Sequence, residues 1–173
     1  MRVHIGADHA AFEAKNDLAT WLGEQGHEVV DHGPHIYDAD DDYPVFCLRA
    51  AEGVVADAGS LGIVLGGSGN GEQIAANKVR GVRAALAWSE QTASLAREHN
   101  DANVVSVGAR MHDIPTVRAI VTAFLTTDFS KGERHERRIG QITAFEIDGT
   151  LPPFPDVPGA ADTSNAVDTA HDA

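Results

Sequence analysis

An apolar run, Leu61-Gly62-Ile63-Val64-Leu65, breaks into Gly66-Gly67-Ser68-Gly69-Asn70-Gly71-Glu72, where four glycines have only small polar neighbours. The run has the length and composition of a buried strand, and the glycines after it let successive backbone N–H groups converge on one point. Glu72-Gln73-Ile74-Ala75-Ala76-Asn77-Lys78 then reads as a helix start whose positive end adds to an anion cradle, with Glu72 in the first turn. The loop is neither a Walker A loop, which ends in Gly-Lys-Ser/Thr, nor a dinucleotide loop, which needs a glycine where Glu72 stands. Taken alone, the segment is also compatible with a plain flexible glycine turn.

The rest of the chain supplies the context of a sheet. Arg2–Gly6 reads as a strand, and Ala11, Ala14, Leu18, Trp21 and Leu22 then recur at helical spacing until Gly23 and Gly26 close the segment. Glu28–Asp31 reads as a second strand. Asp42 before Pro44 is a helix start with Asp42 as N-cap, leading into Val45–Ala56. Leu61–Leu65 is the third strand, Val82–Ala87 the fourth and Asn103–Gly108 the fifth. Helices are expected at about Glu72–Val79, Ser89–His99 and Ile114–Leu125, with a last one at about Lys131–Ile147. Such alternation implies a three-layer αβα, Rossmann-like α/β fold: a five-stranded parallel sheet, expected in the order 2-1-3-4-5, plus a C-terminal helix. Residues 1–148 form this one domain. Residues 149–173 hold four prolines and several aspartates without lysine or arginine, the composition of a disordered acidic tail.

Composition excludes several classes of function. At 173 residues and 43% hydrophobic, the chain can bury a full core, and it has no apolar run long enough to span a membrane. It opens directly into a strand with no signal peptide, and its one cysteine, Cys47, permits no intramolecular disulfide, so a cytoplasmic location is expected. A net charge of −13 argues against a nucleic-acid surface and leaves any basic cluster to serve a small local anion.

In a doubly wound sheet, ligands bind at the carboxyl ends of the strands where the winding reverses. Between the first and third strands, that crevice receives Gly6-Ala7-Asp8-His9 and the glycine loop together. Elsewhere, Arg134 and Arg138 lie four apart on one face of the last helix, with His135 between them and Lys131 and Arg137 adding charge. In so acidic a chain this cluster reads as a phosphate site, joined by Arg110 after the fifth strand, in preference to a solvated face.

Gly6-Ala7-Asp8-His9-Ala10, Asp42-Tyr43-Pro44, Gly66-Gly67-Ser68-Gly69-Asn70-Gly71 and Arg97-Glu98-His99-Asn100 together resemble the ribose/galactose-6-phosphate isomerase family, specifically its type B ribose-5-phosphate isomerases and their actinobacterial branch. The resemblance runs over about residues 1–147. It implies an aldose–ketose isomerase of sugar phosphates that needs neither metal nor organic cofactor, assembled as a homodimer, or further as a tetramer, with the pocket shared because the C-terminal helix reaches the neighbouring subunit.

It also implies roles. Ring opening falls to His99, hydroxyl binding to Asp8, Tyr43 and Asn100, and phosphate contact to His9 and the arginines Arg110, Arg134 and Arg138, with His135 beside them. The backbone N–H groups from Gly67 through Gly69, Asn70 and Gly71 would hold the enediolate oxygen. Many family members carry a cysteine base where this chain has Ser68. A serine hydroxyl is far too weak an acid to replace it, so Glu72 is expected to take the C2 proton while Ser68 donates a hydrogen bond. For Glu72 the plainer alternative is a carboxylate that merely complements the helix dipole.

The remaining residues carry less. Cys47 sits among apolar neighbours and reads as a small buried hydrophobe. Asp38, Asp40, Asp41 and Asp42 lack the spacing of a calcium loop and read as a solvated loop plus an N-cap. His4, His27, His32, His35, His112 and His171 lack zinc-ligand spacing. An isomerase of a six-carbon sugar phosphate, such as allose or galactose 6-phosphate, and a non-catalytic phosphometabolite sensor are the alternatives to a five-carbon isomerase.

Overall fold

The computed structural model of the chain describes residues 1–155. In chain order it runs β1 (Arg2–Ala7), α1 (Phe12–Glu24), β2 (Glu28–Asp31), α2 (Tyr43–Ala56), β3 (Leu61–Gly66), α3 (Asn70–Ala76), β4 (Ala84–Leu86), α4 (Glu90–Asn100), β5 (Val104–Gly108), α5 (Ile114–Thr126) and α6 (Glu133–Asp148). A 3-10 turn, His9–Ala11, joins β1 to α1. All strand pairs are parallel. The expected acidic tail lies, from residue 156 on, outside the described residues.

The strand order is β2-β1-β3-β5-β4, which corrects the expected 2-1-3-4-5. The reason is burial. Val104-Val105-Ser106-Val107-Gly108 is buried at every position and fits an interior strand, whereas β4 has three residues, two of them half-buried, and fits an edge. The exchange leaves the crevice between β1 and β3 where it was expected, because both strands keep their neighbours there.

Alternation along the strands sorts the core into two layers. Val3, Ile5, Ile63, Leu65, Val105 and Val107 pack with α1, α4 and α5. On the other face, Val64 and Val104 meet Cys47, Ala50, Ala51 and Val54 of α2 and Ala75 and Ala76 of α3. Here the helices come close: a Cβ at Gly6 would lie 2.8 Å from the Phe46 carbonyl oxygen. Lys15, on the face of α1 that periodicity turns inward, is fully buried and donates to Asp31 Oδ2 at 2.5 Å. Asp31 Oδ1 in turn accepts from the Gly33 N–H at 2.8 Å, anchoring the start of the long segment between β2 and α2.

Helix boundaries follow local chemistry. Ser89 caps α4 in a reciprocal box with Thr92, and Asp113 caps α5 by accepting from the Thr116 N–H. Asp42 occupies the N-cap of α2 in an extended conformation, but its side chain makes no capping bond, so Pro44 rather than a cap defines that start. At the outer edge of the sheet, Asn77 pairs with Ala84 of β4 at both backbone groups: its Oδ1 accepts from the Ala84 N–H at 2.8 Å and its Nδ2 donates to the carbonyl at 2.9 Å.

Candidate active site

At the end of β1, Asp8 turns its side chain back to accept from the Ala10 N–H at 3.0 Å, which starts the 3-10 turn and fixes the path of the chain. Asp8 is buried, and burial is the main cause that raises its carboxyl above the ordinary aspartate range, with His9 opposing. The next residue, His9, is held by Asp41: one carboxylate oxygen accepts both from the His9 backbone N–H and from Nδ1, each at 2.8 Å.

At the end of β3, Gly69 adopts a left-handed conformation (φ 81°) that only glycine takes without strain, and its carbonyl accepts from Ser106 Oγ at 2.6 Å. Ser68 Oγ accepts from the Asn70 N–H and side-chain amide at 3.3 and 3.1 Å, leaving its own hydroxyl hydrogen to donate elsewhere. Gly71 lies under the ring of Tyr43, where a Cβ would come within 2.7 Å of Cζ. Arg110 closes the third side. Its N–H donates to the Gly67 carbonyl at 3.1 Å, and its Cδ would lie 3.5 Å from a Cβ on Gly67.

Glu72 is in the first turn of α3 as expected, but its carboxylate turns back beneath the loop into the space that a side chain on Gly66 would fill. Only 4% of the residue is exposed, and Oε2 has no hydrogen-bond partner among the described residues. Burial is the largest cause holding this carboxyl above the ordinary glutamate range; the charge of Asp8 adds to it, while the N–H groups of Glu72 and Gly69 oppose it. A desolvated carboxylate with a free oxygen, aimed from beneath a loop of backbone donors, is equipped to move a proton. Neighbouring Cys47 is inert: burial first, then Glu72 and Asp8, pushes its thiol up. No group of three or more His, Cys, Asp or Glu side chains among the described residues is arranged to hold a metal ion.

The structure thus brings Asp8, His9, Tyr43, Gly67, Ser68, Gly69, Asn70, Gly71, Glu72 and Arg110 to one crevice. His99, Asn100, Arg134, His135 and Arg138 form a separate group. α4 runs antiparallel to the strands, so its last turn, with His99 and Asn100, lies at their amino ends, where the Asn100 carbonyl accepts from Arg83 Nε at 2.9 Å just before β4. The glycine loop abuts Gly108 at the other end of β5, so His99 stands a strand's length, roughly 13 Å, from its own chain's loop. The His99 and His135 rings stack with centroids 4.4 Å apart and planes 8° from parallel. Burial, then the charges of His99, Arg134 and Arg138, hold the His135 ring below the ordinary histidine range.

Two features of the site escaped sequence reasoning. Asp41, read as part of a solvated loop, is a buried carboxylate on His9, and a separation of 32 positions gives no local signal of that. Gly66, read as part of the cradle, instead makes room for Glu72, which only the strand's inward parity at this position hints at.

Comparison with known proteins gives the same assignment along nearly the whole chain. The model of the Ribose/Galactose Isomerase family matches residues 3–142. Ribose-5-phosphate isomerase B of Mycobacterium tuberculosis is 58% identical over 158 residues, covering 91% of this chain and 98% of that protein. Among solved structures, ribose-5-phosphate isomerase B of Mycoplasma genitalium with bound ribulose-5-phosphate superposes with a TM-score of 0.82 at 40% identity, covering 85% of this chain and 97% of that one. The type B ribose 5-phosphate isomerase of Trypanosoma cruzi gives 0.80 at 44% identity, covering 85% and 99%. With the parallel sheet, the glycine loop and the buried carboxylate beneath it already in place, these matches show that the chain belongs to the ribose/galactose isomerase family.

Proposed function

We propose that this protein interconverts ribose 5-phosphate and ribulose 5-phosphate. The observation that carries the reading is Glu72: a sensor of phosphometabolites would need the glycines and arginines but gains nothing from a desolvated carboxylate with one oxygen unpaired beside the loop. The relatives' names and the ribulose-5-phosphate bound in the Mycoplasma genitalium structure favour five carbons over six.

In the proposed sequence, His99 moves a proton at the ring oxygen and opens the furanose. Glu72 then takes the C2 proton, the electrons shift toward C1 and its carbonyl oxygen, and the enediolate collapses as a proton is delivered to C1. The N–H groups from Gly67 to Gly71 stabilise the developing oxyanion, at about 3–4 kcal/mol per donor in comparable enzymes. Asp8, Tyr43 and Asn100 hold hydroxyls, and His9, Arg110, Arg134, His135 and Arg138 hold the phosphate. Ser68, already accepting from Asn70, orients a substrate oxygen by donating. None of these steps calls for a metal or organic cofactor.

Because His99 lies a strand's length from its own Glu72, this chemistry requires a second chain. A two-fold dimer places the His99 end of one subunit over the glycine loop of the other and completes two sites at once. No helix of the described residues is long and apolar enough to cross a membrane, and the unpaired buried Cys47 fits the reducing cytoplasm in which we place the enzyme.

Incubation with ribose 5-phosphate in D2O, following ketose formation and deuterium at C2 of the returned aldose, tests the reading. Turnover with exchange is expected. No turnover of ribose 5-phosphate alongside turnover of allose 6-phosphate would move the assignment to six carbons, and exchange with neither would leave a sensor.

A further inference from the structure

Asp41 is held in a segment fixed at both ends. Near its start, the Gly33 carbonyl accepts from the Ala7 N–H of β1 at 3.0 Å, and near its end Asp38 folds a turn by accepting from the Asp40 N–H at 3.0 Å and, through its carbonyl, from the Asp41 N–H at 3.3 Å. Asp41 itself is only 8% exposed at the side chain, with Oδ2 buried and unpartnered among the described residues. Its Oδ1 takes both the backbone N–H and Nδ1 of His9, so the group facing this buried side chain is the His9 imidazole.

We infer that Asp41 is the positioning residue of His9: it commits Nδ1 to the carboxylate, turns Nε2 toward the ligand crevice and favours the ring's protonated form over its neutral one. This rests on the isomerase reading, in which His9 contacts the substrate phosphate. A phosphate oxygen needs a donor, and with Nδ1–H spent on Asp41, Nε2 donates only when the ring carries its second proton. The Asp41 bond is the largest cause raising His9 above the ordinary histidine range; Asp8 adds to it and burial opposes. Asp8 is the other charge acting on the ring; the exposed Asp38, Asp40 and Asp42 lie on the same segment as Asp41, and Arg110 meets Ala10 across Gly67.

Asp41→Asn separates charge from geometry, because an amide oxygen still accepts from both His9 donors. In the free protein, the His9 ring signal is expected to titrate at lower pH in the variant. For ribose 5-phosphate, the ratio of variant to native KM is expected to rise from about 1 near pH 6 to about 10 near pH 8, with kcat changed less than about twofold, because an unassisted imidazole loses its proton at about pH 6.5. In a His9→Ala background, Asp41→Asn should add nothing to KM at any pH. An unmoved His9 titration, a KM ratio flat in pH, or full additivity with His9→Ala would overturn the inference and leave Asp41 a merely structural clamp. If the native protein turns over no sugar phosphate, the isomerase reading fails on its own. Inorganic phosphate then decides: about tenfold weaker binding by the variant at pH 8 supports the inference, and equal binding overturns it.

Discussion

The carboxylate of Glu72 fills the volume that a side chain on Gly66 would occupy, so the last residue of β3 sets where that carboxylate can be. A residue four positions before the first turn of a helix is in this way part of the proposed acid–base apparatus, although it contributes no functional group.

Replacing Gly66 with alanine is therefore expected to displace the carboxylate while leaving the crevice's hydroxyl and phosphate contacts in place. We expect kcat to fall by about 10²-fold or more with KM changed far less, as for loss of an interaction made in the transition state. Steady-state kinetics on folded Gly66→Ala protein check this, and native kcat would refute it.

Glu72→Gln keeps the volume and removes the proposed proton acceptor, and we expect kcat to fall by about 10²–10⁴. Ser68→Ala should cost less, since it removes only an orienting hydroxyl. The measurement is C2 deuterium exchange in both variants. Native exchange in Glu72→Gln with none in Ser68→Ala would transfer the proton to Ser68.

The same carboxylate should burden the fold. A carboxyl whose folded pKa is raised stabilises the native state below the unfolded value and loses that contribution as pH rises through the folded value. Glu72→Gln should therefore melt above the native protein near neutral pH, by roughly 2–4 °C for each kcal/mol relieved, with the difference closing toward pH 4. In the native enzyme the acid limb of kcat/KM should lie above the ordinary glutamate range. Melting curves from pH 4 to 8 test the first statement and a pH–rate profile the second.

If the site is shared, two inactive proteins should complement one another. Glu72→Gln mixed with His99→Asn under subunit exchange forms hybrid dimers with one intact site each, and random assortment restores about a quarter of native activity. Arg134→Ala with Arg138→Ala in one chain should raise KM by about 10²-fold or more, at about 1.5–3 kcal/mol per charge-assisted contact. Absent complementation under demonstrated exchange would put each site within one chain.

Activity should survive EDTA dialysis unchanged, because the proposed steps use only side-chain acids, bases and backbone donors. Loss of activity restored by a divalent ion would refute that mechanism.

The elements and the crevice were legible because they rest on local patterns: apolar runs of strand length, apolar residues at helical spacing, Pro44 at the start of α2, and the abrupt change from Leu65 to glycine. The order of β4 and β5 was not, since both are short apolar segments and only their relative burial, a tertiary property, puts Val105 inside and Ala85 outside. Asp41 on His9 was hidden for a similar reason. A run of aspartates reads as solvated until a distant residue is folded against one of them. Lys15 shows the converse, a charge on the inward face of α1 that is tolerated because Asp31, from β2, meets it.

The amide of Asn77, bonded to both backbone groups of Ala84, has a consequence for how such chains meet. In the ladder with β5, the outward groups of β4 belong to Ala84 and Leu86, and one of these two positions is already closed from within the same chain. At Ala84, therefore, neither a second copy's strand nor a stray extended peptide finds a free backbone group to extend the ladder. Association on this side falls mainly to side chains, where it can be selective, and strand addition at the β4 edge is disfavoured.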